Sequence, residues 1–372
     1  MSKAKRVFCA AIAAVMLLVC ATGCSAPKLY LGGTPDVAAT INGVEMSTGE
    51  YLAYLYTTFT DLYYNQGLYQ YDNAEAYGYD IWTQTYPYGE GDAAQQLELA
   101  DYMIAATKDN IIRQTVLEAM LKENGLTWDA KEQEEVEKEL KEQLTPDAFL
   151  ELGISNEHFA KVYRATGLND SSLFYGLYRE GGKRAMSEAD RRAYFDKNYL
   201  SFKIINVPMM SSDNQEYTEE EQKKVLNDLD KYLQNYNKDG NFEAVVDAYN
   251  KANAADGQEI TASTDKDNRY NYDATQLGDD ELVKAIRSVE VGKAKVVTYK
   301  SGGTNLTAAL ILRLDINKPA NLFADETDNI IRGAKYEEFN KEVQEAMKKV
   351  TAEFDSSAID KCDPKNFLTV AE

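Results

Sequence analysis

The chain has 372 residues with 61 acidic and 40 basic side chains, so its formal charge at pH 7 is −21. Because nucleic acids attract cationic surfaces, a chain this acidic is not expected to bind them. Its one histidine, His158, excludes sites that need two imidazoles, such as a three-histidine zinc centre. We predict neither a bound metal nor a cofactor.

The first residues are typical of a secretory signal peptide. A basic segment, residues 1–6, precedes an apolar run, residues 7–19, that is short for a membrane-spanning helix. Residues 21–24, Ala-Thr-Gly-Cys, resemble the bacterial lipoprotein cleavage box, although its usual leucine is replaced by alanine. This resemblance implies removal of residues 1–23 and acylation of Cys24, which would hold the mature chain at the extracytoplasmic face of the cell membrane. The alternative is ordinary cleavage that leaves Cys24 unmodified.

Cysteine use follows from this interpretation. Cys9 and Cys20 leave with the signal peptide, and Cys24 carries the lipid, so Cys362 is the one remaining thiol. No intramolecular disulfide is then expected. We predict that Cys362 is a structural residue, because the lone His158 would have to serve as its base.

After a tether over residues 24–36, the sequence predicts a strand at Val37–Ile41, a turn at Asn42-Gly43 and a helix that begins within Met46–Glu50. Eleven of the 26 tyrosines fall between Tyr51 and Tyr88, and the second half of that window reads as a loop or insertion. The helix has an apolar stripe with spacings of three and four residues: Tyr51, Tyr54, Leu55, Phe59, Leu62 and Tyr63.

Further helices are predicted from Leu97 to Asn124, from Asp129 to Gln143, after Ser155, and from Ser187 to Asn198. Residues 37–199 therefore form one domain that is essentially helical after a single strand. The inward side chains expected on the first of these helices are Ile104, Ile111, Ile112, Val116, Ala119 and Met120.

In residues 200–317 the helical spacing of apolar residues gives way to a mixture of strand and helix patterns, which predicts a second domain. A strand at Leu200–Pro208 precedes a helix with a capping box, Thr218 and Glu221, and a second helix that ends at Tyr249. Asn253–Asp279 is predicted to be a loop. Then come a helix, Asp280–Ile286, and two strands, Lys295–Tyr299 and Leu306–Asp315, joined across Gly302-Gly303.

Residues 318–372 form the last segment, with a helix from Pro319 to Lys349 and a short tail. The apolar side of this helix requires a partner, and we expect it to pack back on the first domain. Helices that cover a small antiparallel sheet give the α+β fold class.

Three passages resemble the PrsA/SurA-type extracytoplasmic foldases, which are lipid-anchored in Gram-positive bacteria. Val37–Ser47 is similar to the start of their chaperone domain, and Leu150–Phe159 is similar to a helical linker of that domain. The block Phe202–Leu314 has the element order of a parvulin peptidyl-prolyl isomerase domain. Within it, Gly240-Asn241-Phe242 and Val289–Lys293 match two turns of the family. The resemblance implies a SurA-like chaperone domain into which a parvulin-like domain is inserted.

Parvulin domains carry two histidines that face each other across the proline-binding pocket. The matching positions in this chain are Lys203 and Leu310, so the resemblance implies no catalytic residue. The glycine-rich segment of the family is also absent from Asn253–Asp279. We therefore expect the parvulin-like domain to be weak or inactive as an isomerase.

The resulting hypothesis is a membrane-anchored chaperone that binds unfolded or newly secreted polypeptides. Aromatic rings offer a large contact area with little loss of rotamer entropy. The candidate peptide-binding residues are Tyr51, Tyr54, Phe59, Tyr63, Tyr69 and Tyr71. The alternative for the helical stripe is that it is simply core. Alternatives for the whole protein are an active prolyl isomerase and a solute- or glycan-binding lipoprotein.

Overall fold

The computed structural model of this chain describes residues 35–68, 80–89, 94–144, 149–168, 170–211, 213, 215–255, 258–318 and 321–369. It divides into two compact units. Unit 1 contains the described residues up to Leu177 and those from Glu338 onward, and unit 2 contains those within Tyr178–Glu337. Every pair of strands in the described sheets is antiparallel. The predicted α+β class is confirmed.

Strands and helices alternate irregularly along the chain. The strands are β1 Val37–Ile41, β2 Val44–Ser47, β3 Thr85–Tyr88, β4 Gln95–Glu98, β5 Tyr199–Pro208, β6 Tyr270–Asp273, β7 Ala294–Ser301, β8 Asn305–Leu314 and β9 Ala352–Phe354. The helices are α1 Thr48–Thr60, α2 Leu99–Asn124, α3 Ala130–Gln143, α4 Asn156–Gly167, α5 Ser171–Tyr178, α6 Glu188–Asn198, α7 Glu219–Asp239, α8 Phe242–Asn253, α9 Asp265–Asn268, α10 Asp280–Arg287, α11 Leu322–Asp325, α12 Thr327–Met347, α13 Ser356–Ile359 and α14 Asn366–Thr369. A π-helical turn, Asp61–Asn65, follows α1 directly.

A three-stranded sheet of order β2-β1-β9 lies in unit 1. Asn42 and Gly43 make the predicted turn between β1 and β2, with φ values of 50° and 80°, in the left-handed region that tight hairpins require. β9 pairs with β1 through Ala39 opposite Phe354. Because β2 also lies within residues 37–199, the prediction of a single strand in that part of the chain is wrong. β9 was not predicted because three residues are too few to show an alternating pattern.

Helix α1 begins where the sequence predicts, at a capping box. The Ser47 hydroxyl accepts from the Glu50 N–H, and the Glu50 carboxylate accepts from the Ser47 N–H at 3.0 Å. Apart from Gly49 and Thr57, every residue of α1 is buried. The helix contacts β1, β2, α2 and α4, so it is the central element of the unit 1 core.

Two expectations for the α2 region are wrong. Part of the predicted loop after α1 forms a hairpin of β3 and β4, in which Tyr86 lies opposite Leu97. Leu97 therefore belongs to a strand, and α2 begins at Leu99. Ala119, predicted to face inward, is exposed, because the buried side of α2 follows Met103, Thr107, Ile111, Gln114 and Leu121 instead.

The sheet of unit 2 has four strands in the order β6-β5-β8-β7. One face packs on α7 and α8 through Ile205, Leu310 and Phe242. The opposite face packs on α10 through Phe202, Ile311 and Ile286. Such fully buried side chains contribute about 1.5–3 kcal/mol each to stability. The predicted capping box at Thr218 and Glu221 is present at the start of α7.

The predicted loop Asn253–Asp279 is also only partly correct. It contains the edge strand β6, whose residues Tyr270 to Asp273 pair with Phe202 to Tyr199 of β5. A strand of four residues within a polar segment gives a weak sequence pattern, which explains the error.

The C-terminal helix predicted as one element is two helices, α11 and α12. Its expected apolar residues include Ile330, Ile331, Phe339 and Val343, which are all 0% exposed. Within unit 1, the Phe339 ring meets the Phe174 ring edge to face at 5.3 Å. The predicted domain boundaries differ from the limits of units 1 and 2, and they stay predictions.

Candidate functional site

The candidate peptide-binding residues on and beside α1 lie in the core of unit 1. Tyr51 is 0% exposed, and Tyr54, Phe59 and Tyr63 are 5–7% exposed. Burial raises the pKa of Tyr51 and of Tyr54 above its ordinary value. The four side chains belong to the buried core of unit 1, so a client could contact their rings only if unit 1 opened. Their role in peptide binding stays a prediction.

Two of these rings, Phe59 and Tyr63, belong to a continuous aromatic cluster that includes Phe367 of the C-terminal segment. Phe59 stacks on Tyr63 at 5.1 Å between centroids, and Phe367 approaches Phe59 at 5.4 Å. Tyr56 meets Phe149 and Phe367 edge to face at 5.8 and 5.5 Å. Geometry of this kind adds about 0.5–1.5 kcal/mol per pair beyond burial. The residues near the C-terminus thus complete the core around α1.

Three other predicted site residues lie outside the described residues: Cys24, Tyr69 and Tyr71.

His158 has a structural setting at the first turn of α4. Its N–H donates to the Ser155 hydroxyl at 3.1 Å, which caps the helix. Its ring Nε2 lies 3.3 Å from the Ser47 hydroxyl at the start of α1. A Cβ atom on Gly49 would lie 2.1 Å from His158 Nδ1. The lone histidine therefore joins two helix starts within unit 1.

The two positions that match the parvulin histidines lie on one face of the unit 2 sheet. Lys203 is opposite Leu312, and Leu310 is opposite Ile205, so both point toward α7 and α8. Leu310 is 0% exposed and belongs to the apolar cluster between the sheet and helices α7 and α8. No imidazole can be placed on this face, because the chain's one histidine is in unit 1.

Lys203 is a buried cation with two acidic partners. Its side chain is 6% exposed, and its ammonium donates to the Glu243 carboxylate and lies 2.8 Å from Oδ1 of Asp265. Asp265 also receives two hydrogen bonds from the Arg269 guanidinium, at 2.9 and 3.1 Å. Hydrogen bonds from Arg269 and then Lys203 lower the pKa of Asp265 to about 2. The ammonium is therefore held in a structural ion network rather than presented to a substrate.

Exposed aromatic surface lies on the edge strand of the same sheet. Tyr270 and Tyr272 are 39% and 45% exposed, and they are the exposed aromatic side chains of the described chain. Their rings stack on one another at 6.1 Å, and Tyr270 also stacks on Phe202 at 5.6 Å. Sequence reasoning missed this site, although the alternation Tyr-Asn-Tyr-Asp is a weak strand signal.

A pocket of about 400 Å³ opens beside the start of β6. Its lining residues are Asp265, Lys266, Arg269, Asn271 and Lys318. No carboxylate of the described residues lies within 4 Å of the ammonium of Lys266 or Lys318. The buried Oδ1 of Asn271 has no hydrogen-bond partner among the described residues. Because the ammonium groups of Lys266 and Lys318 have no ion-pair partner among the described residues, the pocket can receive an anionic group.

Two features are absent from the part of the chain that the structure describes. No group of three or more His, Cys, Asp and Glu side chains is placed there to hold a metal ion. No helix within the same residues combines the length and the apolar character needed to cross a membrane.

Comparison with known proteins gives structural neighbours only. No family model matches the chain, and no curated protein matches it either. The fold is similar to the foldase protein PrsA of Streptococcus pneumoniae, with 12% identity, a TM-score of 0.31, and coverage of 71% of this chain and 88% of that chain. It is also similar to PrsA of Lactococcus lactis, with 14% identity, a TM-score of 0.33, and coverage of 72% and 90%. The peptidylprolyl isomerase PrsA of Bacillus anthracis is similar as well, with 16% identity, a TM-score of 0.30, and coverage of 64% of this chain and 95% of that chain.

Proposed function

We propose that this protein is a membrane-anchored extracytoplasmic chaperone that binds unfolded or newly exported polypeptides. Its parvulin-like domain, residues 200–317, has little or no isomerase activity. The helical chaperone domain comprises residues 37–199, and the C-terminal segment 318–372 packs back on it. The lipid on Cys24 holds the chain to the membrane.

The observation that carries this proposal is the sheet of unit 2. Its elements follow the order strand, helices, strand, helix, strand, strand. Apart from the edge strand β6, which the sequence did not predict, this is the order on which the parvulin resemblance rests. Unit 2 is also inserted in sequence between two parts of unit 1. A parvulin-like unit inserted into a second unit is the arrangement that the resemblance to extracytoplasmic foldases implies. It therefore supports a chaperone that contacts polypeptide.

Weak or absent isomerase activity is supported by the residues on the sheet face. Lys203 is engaged by Glu243 and Asp265, and Leu310 is buried in the α7 and α8 interface. Rotation about an X–Pro bond has a barrier of about 18–20 kcal/mol, and a catalyst must stabilise the twisted amide. Neither Lys203 nor Leu310 offers a free polar group for that task.

The chaperone activity is tested with the soluble chain that begins at Ser25. An unrelated client is diluted from denaturant, and its aggregation is followed by light scattering with and without this protein. We expect scattering to fall as this protein approaches a stoichiometric amount. Scattering that stays unchanged at molar excess would overturn the proposal.

Isomerase activity is tested in parallel in a refolding reaction limited by prolyl isomerisation. An active parvulin is the positive control. We expect the slow phase to keep its uncatalysed rate, within about twofold, in the presence of this protein. Acceleration comparable with the control would show that the alternative, an active isomerase, is correct.

The anchor is tested separately in cells that process lipoproteins. Wild-type chain is expected to incorporate labelled palmitate and to fractionate with membranes. Cys24→Ala is expected to lose both properties. Membrane retention of the variant without label would contradict anchoring through Cys24.

A further inference from the structure

We propose that the outer edge of β6 binds an extended client segment as an added strand. An acidic side chain of that segment lies in the pocket beside Lys266 and Lys318. This inference rests on the proposed function, and it names the surface and the chemistry of the segment that this surface selects.

β6 is an edge strand of the unit 2 sheet. β6 pairs with β5 on one side, and no other described strand pairs with it on the other side. The outer edge of such a strand presents N–H and C=O groups at alternate residues. An extended peptide can use these groups for main-chain hydrogen bonds, which is the physical basis of strand addition.

The side chains on this edge provide the apolar contact. Tyr270 and Tyr272 are two residues apart, so they lie on the same face, and their rings are stacked and exposed. Phe202 supports Tyr270 from the neighbouring strand. An apolar side chain of an added strand would lie directly beside these rings, at the distance of a cross-strand pair. The edge therefore favours apolar residues at alternate positions of the client.

The direction of the added strand places its C-terminal end beside the pocket. β6 runs from Tyr270 to Asp273, and the pocket lies at its start. A strand that is antiparallel to β6 runs in the opposite sense, so the residue after its apolar positions reaches the pocket.

Charge complementarity selects an acidic side chain at that position. The cations Lys203 and Arg269 are balanced by Glu243 and Asp265 in the ion network. Two ammonium groups of the pocket, Lys266 and Lys318, remain without an ion pair among the described residues.

Two further carboxylates interact electrostatically with these lysines, Asp267 with Lys266 and Asp315 with Lys318, but each is hydrogen-bonded to other groups. Hydrogen bonds from the Thr264 hydroxyl and N–H lower the pKa of Asp267, and a hydrogen bond from the Asn317 N–H lowers the pKa of Asp315. Neither carboxylate lies within 4 Å of the ammonium of Lys266 or Lys318. A carboxylate from the client would thus complete a pocket that is cationic within a strongly acidic chain.

The test measures the affinity of short labelled peptides for the soluble chain that begins at Ser25. The probe has two apolar residues at alternate positions followed by an aspartate, and both of its termini are blocked. One matched peptide replaces the aspartate with asparagine, and another carries N-methyl groups on alternate backbone amides. We expect each change to weaken binding, by about fivefold and about tenfold respectively.

Variants of the protein assign the effect to this surface. Tyr270→Ser/Tyr272→Ser is expected to weaken the aspartate probe by at least about tenfold, and Val291→Ser, which removes an exposed apolar side chain elsewhere in unit 2, should leave it unchanged. Lys266→Glu/Lys318→Glu should weaken the aspartate probe but not the asparagine probe. Lys223→Glu/Lys224→Glu, on exposed positions of α7, is the matched control for charge.

Equal affinity of the wild-type protein and the tyrosine variant would overturn the inference, and so would equal affinity for the N-methylated peptide. The same variants are assayed for suppression of client aggregation. If wild type and variants suppress aggregation equally, the inference fails and the proposed function stands. If wild type suppresses no aggregation, the proposed function itself fails.

Discussion

The ammonium of Lys203 lies 2.8 Å from the Asp265 carboxylate, at the sheet position where the parvulin resemblance places a histidine. This side chain is a buried cation held between two acids, Glu243 and Asp265. The ion pairs link β5, α8 and α9.

Removing the acidic partner Glu243 should destabilise unit 2 more than removing the cation of Lys203. Glu243→Gln is expected to destabilise unit 2 by about 2 kcal/mol, because a buried ammonium keeps only one, half-exposed, carboxylate. Lys203→Met is expected to cost less than about 1 kcal/mol, since both carboxylates retain access to water. Hydrogen exchange of unit 2 peptides measures the difference, because both tryptophans, Trp82 and Trp128, lie in unit 1. A larger cost for Lys203→Met would contradict this account.

The pKa of Asp265, about 2, makes unit 2 sensitive to acid. An unfolded aspartate has a pKa near 3.9, so the contribution of this ion network is present above about pH 4. It is lost as the pH falls through about 2. Asp265→Asn should therefore make the acid-side loss of stability shallower in that window. At neutral pH it should cost at most about 1 kcal/mol, because solvent screens a side chain that is 55% exposed. If Asp265→Asn left the pH dependence of hydrogen exchange in unit 2 unchanged, this prediction would be refuted.

Gly49 and His158 should be coupled. Gly49→Ala adds a Cβ at 2.1 Å from His158 Nδ1, so the ring must move, at an expected cost of about 1–3 kcal/mol. In the double variant Gly49→Ala/His158→Ala the overlap is gone, and alanine favours the helix by up to about 1 kcal/mol over glycine. Urea unfolding followed by tryptophan fluorescence reports on unit 1. Additive effects of the two substitutions would show that the contact has no energetic role.

Cys362 is predicted to be unreactive in the folded chain. Its side chain is 0% exposed, and burial raises the pKa of its thiol to about 11. In the soluble chain that begins at Ser25 it is the one thiol. A thiol reagent at pH 8 should react slowly with native protein and at the rate of a free cysteine in denaturant. Rapid reaction of the native protein would show that a thiol reagent reaches Cys362, which would contradict the burial of its side chain.

The sequence was most informative where side chains act locally. Thr218 and Glu221, three residues apart, located the start of α7, because capping depends on neighbouring backbone groups. The strands β2, β3, β4, β6 and β9 were not predicted, since three or four residues carry too little periodicity.

The candidate site depended on contacts that no local pattern records. The partners of Lys203 are far away in the chain, so its ion network could not be read from spacing. The tyrosine stripe of α1 was visible, but its burial depends on the residues packed around it, among them Phe367. The exposed pair Tyr270 and Tyr272 became visible only once β6 was placed at a sheet edge.

The central claim is that this protein recognises polypeptide in the unfolded state. The most direct measurement is the affinity of the soluble chain for a client that is permanently unfolded by reduction and alkylation of its cysteines, beside the same client in its folded form. We predict saturable binding of the unfolded form and none of the folded form at the same concentrations. Absence of binding to the unfolded client, or equal binding of both forms, would contradict the claim.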